Sequence, residues 1–167
     1  MPVSDDQHLW VDWDQYHREI EALALLVKNS GWQFDQVLCL ARGGLRPGDV
    51  LSRVFDVPLA IMSTSSYREQ AGTVQGEIAI SQHVSTTAGS LKGRILLVDD
   101  LADSGVTLQA VCRQLQSSHP EVTEVRTAVI WCKACSAVKP DYCVRYLETS
   151  PWIHQPFEVY DGGWTGA

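Results

Sequence analysis

"RILLVDDLADSGVTL", residues 94–108, is the stretch on which the reading of the whole chain turns. Ile95 to Val98 form an aliphatic run with no polar interruption, as a parallel strand covered on both faces requires. Asp99, Asp100 and Asp103 follow within five residues, and Ser104, Gly105, Val106 and Thr107 then lead into a second apolar period. Three carboxylates so close together repel one another and exceed what capping a helix needs. Small and hydroxylated residues at a helix N-terminus make an anion cradle, because free amides and the helix dipole face the anion. One loop therefore offers carboxylates and, a few residues on, a phosphate site. A ligand suited to both carries hydroxyls or a metal next to a phosphate.

The chain around this loop has 167 residues, which fits a single domain over 1–167 and buries roughly 70% of its unfolded surface. Thirteen basic residues against 20 acidic ones leave a net charge of −7, which disfavours a general nucleic-acid or anionic-membrane surface. The five cysteines (39, 112, 132, 135 and 143) are odd in number and four lie in apolar runs, as in a reduced cytoplasmic protein. Cys132 and Cys135 form a C-x-x-C without a second Cys or His pair for zinc, and it closes a strand-like run rather than opening a helix. Neither role is expected of it. "MPVSDDQHLW" lacks the basic start and apolar stretch of a secretory leader, and no window approaches 18 uncharged apolar residues. A cytoplasmic location is the expectation.

Trp13, Tyr16, Ile20, Leu23 and Val27 recur at three- and four-residue steps, which predicts a helix over 13–30 with Asp12 and Gln15 as its capping box and Gly31 as its stop. "QVLCLA" (36–41) reads as a buried strand, followed by "RGGLRPG", a helix to about Phe55 and a strand near 58–62. Residues 63–90 are rich in Ser, Thr and Gly and read as a mobile functional loop, with "EIAISQHV" as one hairpin arm. A strand at 94–98, a helix over 106–117, strands at 125–132 and 142–147, and an irregular C-terminal flap from Glu148 complete the pattern. Strands alternating with helices predict an α/β fold with a mostly parallel sheet, its core at about 34–147.

In such sheets ligands bind beyond the carboxyl ends of the strands. Both unusual loops lie there: the acidic one, and Arg42-Gly43-Gly44, where glycines let amides approach an anion. Other motifs fail. There is no G-x-x-x-x-G-K-[ST], no G-x-G-x-x-G and no EF-hand spacing. Two-component receivers also carry an Asp pair after an apolar strand, but near the start of the domain, whereas 67 residues follow Asp100 here.

"LLVDDLADSGVT" closely resembles the PRPP-binding signature of the type I phosphoribosyltransferases, with Ser104 where Thr is more usual. "ARGGLRPG" resembles the pyrophosphate loop of the xanthine-guanine branch, and Ser66-Tyr67 matches the Ser-Tyr of that family's mobile catalytic loop. Lys133 lies after a strand where 6-oxopurine enzymes carry their base-reading Lys, and "PWIHQPF" resembles the segment that stacks on the purine. The resemblance covers about residues 34–158. Ala134-Cys135 and the sequence of the 63–90 loop depart from it.

The resemblance implies a type I phosphoribosyltransferase fold with a small hood from the tail, 148–167. It implies transfer of the phosphoribosyl group of PRPP to N9 of guanine, xanthine or hypoxanthine, releasing pyrophosphate and a nucleoside monophosphate, as in purine salvage. Asp99 and Asp100 would hold the ribose hydroxyls, assisted by Mg²⁺, and residues 103–107 would cradle the 5′-phosphate. Arg42, Gly43 and Gly44 would take the pyrophosphate, with a non-proline cis peptide at Ala41–Arg42. Asp103 would be the general base, Tyr67 and Arg68 part of a lid, Lys133 the reader of the 6-position, Trp152 the stacking partner, and the backbone near Ile153 the reader of the 2-position. A homo-oligomer, dimer or tetramer, is expected, with no nucleic-acid partner and no membrane segment. Trp10, Trp13, Trp32, Trp131 and Trp164 read as packing residues, and the five histidines show no ligand spacing. A PRPP-sensing, RNA-binding regulator of the same fold is the rival reading. It needs a basic face, which the net charge of −7 opposes.

Overall fold

The computed structural model describes residues 7–66 and 78–166. The chain runs β1 (His8–Trp10), α1 (Trp13–Asn29), β2 (Gln36–Ala41), α2 (Leu45–Phe55), β3 (Leu59–Ser66), β4 (Ile78–Thr86), β5 (Gly93–Val98), β6 (Leu101–Ala102), α3 (Val106–Ser118), β7 (Val122–Cys132), β8 (Tyr142–Tyr146) and β9 (Trp152–His154), and then a 3-10 turn at Pro156–Tyr160.

Seven strands make the main sheet in the order β4-β3-β2-β5-β7-β6, with β8 on the other side of β7. Every pair is parallel except β3 with β4. The central strands are apolar throughout because both faces are covered. Val37, Cys39, Leu96, Val98, Ala128 and Ile130 face a cluster with Tyr16, Ile20, Leu23 and Val27 of α1 and Leu51 of α2. Their neighbours Leu38, Leu40, Ile95, Leu97 and Val129 face the opposite cluster, with Leu108, Val111 and Leu115 of α3. Fully burying each such side chain is worth about 1.5–3 kcal/mol, and truncating Leu23 to Ala would cost about 2–5 kcal/mol.

Helix α1 begins where its cap dictates: Gln15 N donates to Asp12 Oδ1 at 2.8 Å. The box is only half made, since the Gln15 side chain donates forward to Glu19 instead. Pro47 lies in the first turn of α2, where a missing N–H is tolerated.

Three expectations need correction. The loop is shorter than expected: residues 63–66 end β3, and 78–86 form β4, the hairpin arm expected at "EIAISQHV", with Ala60 opposite Thr86 and Thr64 opposite Ile80. Residues 87–90 follow without regular structure, and 67–77, which include Tyr67 and Arg68, lie outside the described residues. The flap is not wholly irregular: β9 pairs in parallel with β1, Leu9 opposite Ile153, so the N-terminal segment roofs the tail. Of the five tryptophans read as packing residues, Trp32 and Trp131 are buried, whereas Trp10, Trp13 and Trp164 are 69%, 38% and 61% exposed, Trp10 meeting His154 and Trp164 meeting Tyr160 at the surface.

Candidate active site

β5 and β6 are two pieces of one line. Val98 pairs with Ala128 and Leu101 with Trp131 at the same offset, so Asp99 and Asp100 interrupt a continuous edge of β7. The backbone keeps its partners across the break: Asp99 N donates to Ala128 O at 3.1 Å, and Asp100 O accepts from Ile130 N at 2.9 Å. Both carboxylates are thereby fixed to the sheet. Asp99 Oδ1 accepts from Asp100 N at 2.9 Å, and Asp100 Oδ1 accepts from Leu101 N at 2.8 Å. The second oxygen of Asp100 accepts from Gln155 Nε2 at 2.5 Å. Burial pushes the Asp99 carboxyl well above the usual carboxylate range, and the charge of Asp100 beside it adds to the effect.

The loop after β2 leans on this pair. The Ala41–Arg42 peptide is cis. A Cβ on Gly43 would lie 2.5 Å from Asp100 Cγ, so only glycine allows this approach. Gly44 opens α2 without a side-chain cap. The Arg42 side chain is 88% exposed, and its Nη2 lies 3.8 Å from Asp161 Oδ1 of the tail. An ion pair so exposed is worth little, which leaves the guanidinium available to an anion.

Beyond β6 the chain turns through Gly105 at φ 82° into α3, and no side chain caps that helix at Gly105. Ser104 stays close by: its Oγ accepts from Val106 N at 3.3 Å and its carbonyl from Ala137 N at 2.9 Å. The first-turn amides of α3, with Thr107 among them, form the sort of N-terminus that holds a phosphate. Lys133 follows β7, and its N donates to Ala102 O at 2.9 Å. Its Nζ reaches Asp103 Oδ2 at 3.4 Å, the Lys133 side chain being 9% exposed and that of Asp103 52%. Cys135 Sγ lies 3.5 Å from Asp103 Oδ1.

The tail is stitched to the same loops at two points. Ala134 N donates to Thr149 O and Cys135 N to Ser150 Oγ, both at 3.2 Å. Gln155 makes the second link, to Asp100. Between them Trp152 is 62% exposed, while the Ile153 side chain is 5% exposed and belongs to the core. Ile153 can thus face a ligand only through its backbone. His154 stacks on Trp10 at 3.7 Å between ring centroids and shares a 2.8 Å hydrogen bond with His8. Arg42, Gly43, Asp99, Asp100, Asp103 to Thr107, Lys133 and the segment around Trp152 are thereby joined through direct contacts or continuous chain; Tyr67 lies outside the described residues. Sequence reasoning missed Gln155 and the roofing strand β1. A lone Gln in a tail carries no pattern, and β1 is three residues long.

The five cysteines are free, Cys132 buried and Cys135 exposed. Among the described residues no cluster of three or more His, Cys, Asp or Glu side chains is placed to hold a metal. The oxygen pair Asp99/Asp100 still fits a hard cation such as Mg²⁺, which takes one or two carboxylates and completes its shell with substrate oxygens and water.

Residues 12–161 match the phosphoribosyl transferase domain model. The fold matches a purine phosphoribosyltransferase from Pyrococcus horikoshii at 30% identity, covering 90% of this chain and 93% of the other, with TM-score 0.73. A Helicobacter pylori xanthine-guanine-hypoxanthine phosphoribosyltransferase matches at 26% identity over 92% of this chain and 95% of the other, TM-score 0.73. A hypothetical protein from Neisseria gonorrhoeae with bound ppGpp matches at 25% over 93% and 92%, TM-score 0.71. With an acid pair set in the sheet edge, a glycine loop and a helix N-terminus beside it and a domain match over nearly its whole length, the chain belongs to the phosphoribosyltransferase family and is a transferase.

Proposed function

We propose that the chain transfers the 5-phosphoribosyl group of PRPP to N9 of a 6-oxopurine, guanine, xanthine or hypoxanthine, with release of pyrophosphate. One observation carries the choice of base: an almost buried Lys133 ammonium meets Asp103 on the phosphate loop at 3.4 Å. An ammonium only donates hydrogen bonds, so it matches a 6-oxo group and opposes the 6-amino group of adenine.

In this reading Asp99 and Asp100 orient the ribose hydroxyls, residues 103–107 bind the 5′-phosphate, and Arg42 with the amides of Gly43 and Gly44 holds the pyrophosphate. Asp99 and Asp100 would hold Mg²⁺, mainly through PRPP and water, and the ion would supply charge neutralisation for the leaving group. The C1′–O bond to pyrophosphate breaks as N9 bonds to C1′, and Asp103 takes the proton that leaves purine N7. Positioning and charge stabilisation supply most of the acceleration. Trp152 stacks on the base and the backbone near Ile153 faces its 2-position. Assay of the protein with PRPP, Mg²⁺ and each nucleobase tests the proposal.

The likeness to the Neisseria protein with bound ppGpp supports a second ligand for the same loops. A guanine nucleotide bearing pyrophosphate groups would meet the base side and the anion loops together. Inhibition by ppGpp that is competitive with PRPP is the expected result.

A further inference from the structure

Asp100 carries a hydrogen bond on each oxygen, and the two come from different parts of the chain. Oδ1 accepts from the backbone one residue on, at Leu101. Oδ2 accepts from Gln155 Nε2, the one side-chain donor it has among the described residues. Gly43 packs against the same carboxylate, closing its third side. Gln155 sits directly after β9 and is 7% exposed. Buried Ile153 and buried Pro156 anchor the chain on either side of it. Trp152 and Gln155 are therefore carried on one short, doubly anchored segment.

The other end of the Gln155 amide is unusual. Its Oε1 is buried without a hydrogen-bond partner among the described residues. A buried acceptor left unpaired is unfavourable, so an amide selected for stability alone would have both ends satisfied. The arrangement makes sense if the donor end matters for more than folding.

We propose that Gln155 is a positioning residue that links the base-side strand β9 to the ribose-side carboxylate Asp100, so that PRPP and purine each bind more tightly when the other is present. The proposal rests on the transferase reading given above. When a purine seats on Trp152, the segment 152–156 is held, and the Gln155 donor stays on Asp100 Oδ2. When PRPP engages Asp100, the same hydrogen bond holds the segment for the base. Linkage requires the two effects to be equal.

The test measures Mg²⁺·PRPP binding by calorimetry, with and without a purine analogue that has carbon at position 9 and so cannot accept the ribosyl group. Steady-state kinetics accompany it. In the parent protein the analogue should tighten PRPP binding by about fivefold or more. In Gln155→Leu that tightening should vanish, and kcat/KM for PRPP should fall about 10- to 100-fold, as for loss of a hydrogen bond to a charged group. Gln155→Glu keeps the length of the side chain but removes the Nε2 donor, so the tightening should vanish there too. A merely structural role predicts that each ligand alone binds more weakly while the tightening persists. If Gln155→Leu fails to fold, the coupling measured in Gln155→Glu decides. Unchanged coupling in a folded variant overturns the proposal. A parent protein that neither binds PRPP nor forms nucleotide overturns the transferase reading, and this proposal with it.

Discussion

Lys133 Nζ lies 3.4 Å from Asp103 Oδ2, joining the loop after β7 to the loop that opens α3. The Lys133 side chain is almost wholly enclosed, so its charge needs a partner, and in the free protein Asp103 supplies it. A purine that brings an acceptor to the ammonium and a proton to the carboxylate would take over both halves of this pair. In the proposed reaction this ion pair would stand where the base and the phosphoribosyl group meet.

Asp103→Asn keeps the shape of the loop and the backbone amides that face a phosphate, but removes the proton acceptor. General-base catalysis is worth about 10²- to 10⁴-fold, so kcat should fall by that range while calorimetry still records PRPP binding. Near-normal kcat in the Asn variant would remove Asp103 from the role.

Lys133 should decide between bases and Trp152 should not. A buried polar group left unpaired rejects a mismatched analogue by up to about 10⁴- to 10⁵-fold. The ratio of kcat/KM for guanine over adenine should therefore be large in the parent and collapse in Lys133→Ala. Trp152→Ala should weaken every purine alike, by about 1–3 kcal/mol. A Trp152 variant that changes the ranking of the bases would contradict this division.

Gly43→Ala tests how closely the two loops meet. Its new Cβ would fall 2.5 Å from Asp100 Cγ, so the carboxylate must move. Misplacement of a positioning group by about 1 Å costs about 10²-fold, and kcat/KM for PRPP should drop on that scale with the circular dichroism spectrum unchanged. An Ala variant as active as the parent would mean that Asp100 can shift without consequence.

Asp99 gives the ligand-free protein a pH dependence of defined sign. Burial and the Asp100 charge raise its carboxyl above the ordinary value, so between the unfolded and folded pKa the folded state binds more protons. Its contribution to stability is fully present below the unfolded pKa and is lost as pH rises through the raised folded one. Asp99→Asn should raise the melting temperature at neutral pH in the absence of ligand and flatten the decline with rising pH. It should also abolish the stabilisation that Mg²⁺ and PRPP give the parent. A lower neutral-pH melting temperature in Asp99→Asn would reverse the sign and contradict the account.

The strands at 36–41 and 94–98 were legible because burial on both faces forces uninterrupted aliphatic runs, and α1 because Asp12 marks its first turn. The acidic loop was legible because its repulsion has no purely structural use. Less could be read where an element depends on a distant partner. β1 and β9 are three residues each, lie more than 140 residues apart and exist only as a pair. β6 is two residues held by β7. Trp10 reads as a packing residue and does pack, but its chain neighbours do not show that its partner is His154 and that the stack lies at the surface. The contact between Gln155 and Asp100 spans 55 residues and follows no local period, so only the folded chain reveals it.

The central claim is tested most directly by incubating the parent protein with PRPP and Mg²⁺ and offering guanine, xanthine, hypoxanthine and adenine in turn, while nucleoside monophosphate and pyrophosphate are quantified. The account predicts equal amounts of nucleotide and pyrophosphate with at least one 6-oxopurine, and adenine turned over less efficiently by orders of magnitude. Efficient conversion of adenine would contradict the 6-oxopurine assignment, and absence of nucleotide with every purine would contradict purine transfer itself.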